Sequence, residues 1–293
     1  MSTALTHQRD SEDLRGRTCV VTGATTGIGK ETARGLAVRG AEVVLIGRDP
    51  KRSEAARAEL AASAPEAKLH VLLADLSSLA DVRRLGTEVA ARFPRIDVLV
   101  NNAGAIFGER GLTVDGHERT FALNHLAYFL LTETLRETLV RSAAARIVNV
   151  SSAAHKIGRM HWDDLGLEHG YTQIKSYAQS KLANILHTRA LSRRLAGTGV
   201  TANCLHPGTI ASNFGQSGSS FFAWLARIGR PFLRSAEGGA RTSIFLSASP
   251  DVKDVTGEYF VRCKVTRPSQ RARSDEDGER LWALSEALCD KAR

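Results

Sequence analysis

The sequence predicts an α/β fold, a doubly wound parallel sheet with helices on both faces, built as a single domain. Three observations lead there. Short apolar runs alternate with helix-like segments along most of the chain, the pattern of parallel strands joined by crossover helices. The first run is followed at once by a glycine turn and a helix, Gly23-Ala-Thr-Thr-Gly27-Ile-Gly29. The 293 residues, 43% of them hydrophobic, suffice for one large core, and no Pro/Ser-rich linker divides them.

Residues 1–14 read as an N-terminal tail and 15–293 as the domain. The first strand is Thr18 to Thr22. In the turn after it, glycines let the backbone bend tightly and approach a pyrophosphate. The helix from Lys30 to Arg39 then offers free N–H groups and a positive dipole end. Gly23, Thr25, Thr26, Gly27 and Ile28 are therefore candidate cofactor-binding positions in a Rossmann-type sheet. The spacing G-x-x-x-G-x-G is a variant of the G-x-G-x-x-G fingerprint. A second strand, Glu42 to Ile46, ends in Gly47-Arg48-Asp49. An acidic residue at such an end binds a ribose 2′-hydroxyl, and an Arg accommodates a 2′-phosphate. Gly47 followed by Arg48 favours NADP(H) over NAD(H). Asp49, one position further on, keeps NAD(H) as the alternative.

A helix from Ser53 to Ser63 leads to a third strand, Leu69 to Leu73, and then to Asp75 and Leu76. Asp75 is placed either to contact an adenine or to cap the helix Leu79 to Arg92, a role for which Ser77 and Ser78 compete. A fourth strand, Ile96 to Val100, runs into Asn101-Asn102-Ala103-Gly104, small and amide residues suited to the ligand crevice of an open parallel sheet. The helix Gly116 to Val140 carries Asn124 amid apolar residues, where an amide needs partners. The strand Arg146 to Val150 ends in Ser151-Ser152. A polar segment, Ala153 to Lys175, precedes a helix that bears Tyr177 and Lys181 and runs to about Ala196. Residues i and i+4 share a helical face, so a phenol and an ammonium stand one turn apart, an acid/base with a cation beside it. The strand Val200 to Leu205 ends in His206-Pro207-Gly208. The aromatic-rich stretch at about 209–234 reads either as a lid over an apolar substrate or as ordinary core. A helix Ala236 to Ala248, a short strand Glu258 to Val261, an Arg-rich loop and a C-terminal helix at about 278–288 complete the chain.

Composition narrows the function. No stretch approaches the roughly 20 apolar residues of a membrane span, and the polar N-terminus has no secretory core. The cysteines, Cys19, Cys204, Cys263 and Cys289, form no Cys-x-x-Cys pair, so neither a metal site nor a redox dithiol is expected, and the cytoplasm suits them. The formal net charge is +9, but no basic stripe with interleaved aromatics accompanies it, so a solvated surface is expected rather than a nucleic-acid interface. His155, His161 and His169 read as surface or pocket-rim residues.

Taken in order, Thr22-Gly-x-x-x-Gly-Ile-Gly29, Asn101-Asn-Ala-Gly104, Asn124, Asn149-Val-Ser-Ser152, Tyr177-x-x-x-Lys181 and His206-Pro-Gly208 resemble the short-chain dehydrogenase/reductase family over about residues 15–262. The wording Asn124-His-Leu-Ala-Tyr-Phe-Leu-Leu-Thr132, Ser151-Ser-Ala-Ala-His155, Gln179-Ser-Lys-Leu-Ala-Asn184 and Leu205-His-Pro-Gly208 is similar to the retinol-dehydrogenase-like branch, and the Ala/Arg-rich chain without an N-terminal anchor suits a soluble bacterial member. The resemblance implies that Tyr177 is the acid/base and that Ser152 orients the substrate. It implies that Lys181 holds the nicotinamide ribose and lowers the tyrosine pKa, while Asn124 completes a proton relay. Asn102, Ala103 and Gly104 would line the cofactor, with Pro207, Gly208 and the Ile210 backbone at the nicotinamide and Ser212 at a cofactor phosphate. The implied activity is NADP(H)-dependent hydride transfer between the nicotinamide and an alcohol/carbonyl pair of a fairly apolar small molecule. A dehydratase, isomerase or cyclase on the same fold is the alternative, since fold does not fix function. The resemblance also implies a homodimer or homotetramer.

Overall fold

The structure, a computed structural model, describes residues 13–208 and 235–290. Its strands are β1 (Thr18–Thr22), β2 (Glu42–Gly47), β3 (Leu69–Leu73), β4 (Val98–Asn101), β5 (Arg146–Val150), β6 (Thr201–His206), β7 (Tyr259–Val261) and β8 (Lys264–Val265). They form one sheet in the order β3-β2-β1-β4-β5-β6-β7-β8. The strands from β3 to β7 are parallel, and β8 returns antiparallel to β7. This is the doubly wound Rossmann-type sheet that the sequence predicts. Strand order reverses between β1 and β4, so a crevice opens at the carboxyl ends of those strands.

The apolar runs are continuous because the central strands are covered on both faces. Side chains alternate across the sheet with period two. Val20, Val44, Ile46, Leu99 and Ile147 belong to one core cluster, and Cys19, Val21, Val43, Leu45, Val100 and Val148 to the other. The second cluster lies under α1 (Gly27–Ala37), α2 (Pro50–Ser63) and α8 (Ala236–Ala248). The first lies under α3 (Leu79–Arg92), α5 (Ala127–Thr134), α7 (Gln173–Arg194) and the C-terminal helix α9 (Asp275–Asp290).

Several boundaries differ from the sequence reading for local reasons. Leu14 belongs to the domain rather than to the tail: its side chain is buried and its N–H bonds the Arg39 carbonyl at 2.9 Å. The helix expected from Gly116 to Val140 begins as α4 (Arg119–Phe121), passes through a π-helical turn, Ala122–Leu126, into α5, and breaks at Leu135 before α6 (Arg136–Arg141). The C-terminal helix starts at Asp275 rather than Gly278. Its first turn holds Asp275, Glu276 and Asp277, which suit the positive end of the helix dipole. Strand β8 went unread because Arg262 and Cys263 make its turn with positive φ, 54° and 62°. Such a turn is normally announced by Asn or Gly, and neither is present.

Helix α9 packs along α7 and reaches the π-helical turn through a buried polar chain. Arg193 and Arg194 of α7 pair with Asp275 and Glu279, and the Arg194 guanidinium lies 4.1 Å over the Trp282 ring. Beneath them His125 is fully buried, with Nδ1 3.3 Å from Asn184 Oδ1 and Nε2 2.9 Å from Ser285 Oγ. The Asn184 amide nitrogen is committed to the Asn124 and Val150 carbonyls, so its oxygen must accept from His125. The proton then sits on Nδ1 of the neutral ring, and the Ser285 hydroxyl, which donates to the Leu281 carbonyl at 2.8 Å, is shared between that carbonyl and Nε2. Burial pulls the His125 pKa down to about 4, from an ordinary value near 6.5. Below 6.5 the unfolded chain therefore takes up a proton that the folded chain refuses. Stability is complete above 6.5 and is lost as the pH falls towards 4, by about 3 kcal/mol at the end of that window. Thermal melts across this range are expected to show that loss, and a His125→Asn variant should have a flatter slope; an equal slope would remove His125 from the effect.

Among the described residues no helix is long and apolar enough to cross a membrane, and no group of three His, Cys, Asp or Glu could hold a metal ion. Cys19, Cys204 and Cys289 are buried as free thiols, and burial pushes Cys204 and Cys289 up to about 12.

Candidate active site

The crevice begins at the turn between β1 and α1. Gly27 has φ +55° and open space where a side chain would stand, and a Cβ on Gly29 would collide with the Gly23 carbonyl and the Asn102 amide. The backbone here is thus both left-handed and closely packed, which only glycine permits. Asn102 Nδ2 donates to the Thr22 carbonyl at 2.8 Å, and the Thr22 hydroxyl accepts from the N–H groups of Asn102 and Ala103 at 2.9 and 3.0 Å. The Asn102 side chain holds the turn, leaving Ala103 and Gly104 to line the crevice with backbone. The N-cap of α1, Thr26, makes no side-chain cap bond, and no acid stands in the first turn. By contrast Asp49, Ser78, Thr172 and Ser235 cap α2, α3, α7 and α8. The start of α1 therefore keeps free amides and an uncompensated positive end, which fits a pyrophosphate.

The carboxyl end of β2 carries no acid and has no room for one. A Cβ on Gly47 would collide with the Ser53 hydroxyl and the Thr25 methyl. Asp49 is engaged elsewhere, accepting the Arg52 N–H at 2.8 Å as the cap of α2. The Arg48 side chain is 77% exposed and, among the described residues, pairs with Asp75 at 3.9 Å, a loose contact in water. Asp75 does not cap α3; Ser78 does, and Asp75 accepts from the Ser77 N–H and hydroxyl at 3.0 and 2.7 Å. Leu76 is buried beside it.

Ser152, Tyr177 and Lys181 meet at the end of β5. The Ser152 hydroxyl faces the Tyr177 phenol closely enough to favour its charged form. Ser152 Oγ also accepts the Ala154 N–H at 3.2 Å, capping a single 3₁₀ turn, Ala153–Lys156. The Lys181 ammonium donates to the Val150 carbonyl at 3.0 Å and lies 5.6 Å from the ring centroids of both Tyr128 and Tyr177. Burial pushes the Tyr177 phenol up to about 12, with the Ser152 hydroxyl opposing the shift, and pulls Lys181 down to about 7. Burial is the larger influence on the phenol here, and the Ser152 hydroxyl is what opposes it.

Asn124 stands behind this group, on the π-helical turn. Its Oδ1 accepts the Ala105 N–H at 2.9 Å, its Nδ2 donates to the Ala105 carbonyl and to Ser180 Oγ at 3.0 and 3.1 Å, and its own carbonyl accepts from Asn184. π-turns of this kind recur at functional sites because they free a carbonyl from the helix ladder. A Cβ on Gly104 would lie 3.0 Å from Asn124 Oδ1 and 3.5 Å from Lys181 Nζ, so the two groups border one small space. Pro207 and Gly208 follow β6 and are partly exposed. Ile210, Ser212 and the expected lid at 209–234 lie outside the described residues.

Sequence reasoning missed four supporting residues. Glu118 is buried; its carboxylate caps α4 through the Thr120 and Phe121 N–H groups and accepts the Ser176 hydroxyl at 2.8 Å, joining the helices that bear Asn124 and Tyr177. Gln179 fastens the segment before α7 by accepting the His161 N–H and donating to the Leu165 carbonyl, both at 2.8 Å. Asn184, three residues beyond Lys181, shares the Val150 carbonyl with it. His155 is fully buried, not at a rim, while His161 is half-buried and His169 exposed, as expected.

A family model described as short chain dehydrogenase matches residues 17–220. The chain belongs to the short chain dehydrogenase family. Within that family of oxidoreductases it is 42% identical to human retinol dehydrogenase 12 over 277 residues, covering 94% of this chain and 87% of the relative. A solved structure of a protein from Mycobacterium Paratuberculosis is 34% identical with a TM-score of 0.79, covering 96% of each chain. A blue fluorescent protein from a metagenomic library, in complex with NADPH, is 28% identical with a TM-score of 0.69 and covers 85% of this short chain dehydrogenase and 97% of its own chain.

Proposed function

We propose that this chain is an NADP(H)-dependent oxidoreductase acting on the alcohol/carbonyl pair of a fairly apolar small molecule, with Tyr177 as acid/base. The observation that carries this reading is the Lys181 ammonium 5.6 Å from the Tyr177 ring, with the Ser152 hydroxyl facing the same phenol. When bound, the nicotinamide supplies or accepts the hydride. The chain does the rest. The Ser152 hydroxyl donates to the substrate oxygen, where charge develops in the reductive direction. Tyr177 gives its proton to that oxygen; a phenol pushed up to about 12 stays protonated at neutral pH, which suits reduction. Lys181 holds the nicotinamide ribose, Asn124 completes the relay behind it, and Pro207 and Gly208 wall the nicotinamide. Relatives that are retinol dehydrogenases support an apolar substrate.

For the cofactor, the sterically closed Gly47, the capping role of Asp49 and the loosely paired Arg48 support a 2′-phosphate site. Assayed by the absorbance of NADPH against retinal, long-chain aldehydes, ketones and quinones, the protein is expected to oxidise NADPH with an apolar carbonyl. Arg48→Ala should raise KM for NADPH by about tenfold or more, the worth of a hydrogen bond to a charged group, and leave KM for NADH nearly unchanged. Equal effects on the two cofactors would remove Arg48 from the phosphate site. Turnover of a substrate without any change in NADPH would return the dehydratase, isomerase or cyclase reading.

A further inference from the structure

We propose that His155 is a positioning residue that holds Ser152 in its working orientation by clamping the Ser152 carbonyl to the segment after β8. The inference rests on the reading of Ser152 given above and adds to it the group that fixes it. His155 is fully buried. Its Nδ1 lies 2.7 Å from the Ser152 carbonyl oxygen, and its Nε2 lies 3.2 Å from the backbone nitrogen of Ser269. The Ser269 N–H can only donate, so Nε2 must accept, and the ring proton must sit on Nδ1 and point to Ser152. Both ring nitrogens are thereby satisfied in one tautomer of the neutral imidazole.

The ring is held from the side as well. It meets the Tyr259 ring of β7 edge-on, centroids 4.9 Å apart. One turn further, Arg271 donates to the Gly158 carbonyl at 3.4 Å, and a Cβ on Gly158 would press against the Ala178 carbonyl of α7. The 3₁₀ turn is therefore gripped between α7 and the C-terminal segment, with His155 as the polar link. The grip bears on chemistry because Ser152 caps that turn. While Oγ accepts the Ala154 N–H at 3.2 Å, the hydroxyl proton is left to point at Tyr177 or at a substrate oxygen. If the carbonyl swings, the cap geometry and the direction of the hydroxyl change together. A misplacement on the order of 1 Å can lower a rate by about 10²-fold.

Two amide replacements separate this role from simple core filling. In His155→Asn the amide nitrogen takes the place of Nδ1 and keeps the bond to Ser152 while losing that to Ser269. In His155→Gln the amide oxygen takes the place of Nε2 and keeps Ser269 while losing Ser152. With NADPH and all-trans-retinal, His155→Asn is expected to retain kcat within about threefold, whereas His155→Gln loses about tenfold or more, with KM for NADPH unchanged in both. Hydrogen exchange of peptides spanning residues 151–160 gives the same answer without any substrate: faster in His155→Gln, as in the parent for His155→Asn. Equal exchange and equal kcat in the two variants would overturn the clamp. Ser152→Ala, assayed beside them, keeps the two readings apart. If it is fully active, the reading of Ser152 falls and the exchange data still decide the clamp. If it is inactive while His155→Gln is not, the clamp alone falls.

Discussion

Replacing Tyr177 by Phe is expected to lower kcat by about 10²–10⁴-fold, the usual worth of a positioned general acid, while the dissociation constant for NADPH stays within about twofold. The substitution removes one oxygen and keeps the ring. That ring, with Tyr128, bounds the Lys181 ammonium, whose one carbonyl partner, Val150, is untouched. The lysine should therefore stay in place, and with it the part of the site read as the ribose contact. What goes is the proton that must reach the developing alkoxide and the phenol oxygen that faces Ser152. Cofactor binding by fluorescence and turnover by NADPH absorbance, measured on the same preparation, separate the two losses. Undiminished turnover would sink the assignment of Tyr177; a parallel loss of NADPH binding would mean that the phenol holds the cofactor rather than the substrate oxygen.

The fold and the centre of the site were legible in the sequence for one reason: their signals are local. A strand followed by Gly23-Ala-Thr-Thr-Gly27-Ile-Gly29 states a backbone conformation, and Tyr177 and Lys181 state a helical face. What was illegible depends on burial and on partners far along the chain. Nothing near Glu118 in sequence marks it, and only the fold sets it under the N-terminus of α4 and against Ser176, 58 residues away. His155 was read as a rim residue because nothing near it in sequence announces that β7 and Ser269, more than a hundred residues on, would close over it. The π-turn at Asn124 likewise follows from tertiary demand, since no Gly or Pro marks it. The same limit explains the tyrosine pKa. The spacing places a cation near the phenol, whereas the depth of the site, which no spacing reveals, raises its pKa.

Lys181→Met is expected to cut kcat by about 10²-fold and to weaken NADPH binding, yet to leave the protein at least as stable as the parent at pH 7. The two effects have different origins. Activity falls because the only ammonium beside Tyr177 on its helical face is gone, and electrostatic contacts in a buried site commonly contribute this much. Stability does not fall, because Lys181 is 2% exposed with one carbonyl acceptor, and burial pulls its pKa down to about 7. A lysine whose folded pKa lies below its unfolded value makes folding costlier wherever the unfolded chain holds the proton more firmly. That penalty is fully present below about pH 7, where both states are protonated, and is relieved as the pH rises towards the unfolded value near 10.4. A methionine of similar length carries no such penalty. Melts from pH 7 to 10 should therefore show the variant ahead at pH 7 and the gap closing with rising pH. Arginine should not restore activity: Gly104, the two tyrosine rings and the Val150 carbonyl confine the space around Nζ, and a planar guanidinium is too wide for it. If Lys181→Met instead melts well below the parent at pH 7, the ammonium is a net support of the fold. Its place beside Tyr177 would then be explained by stability before chemistry.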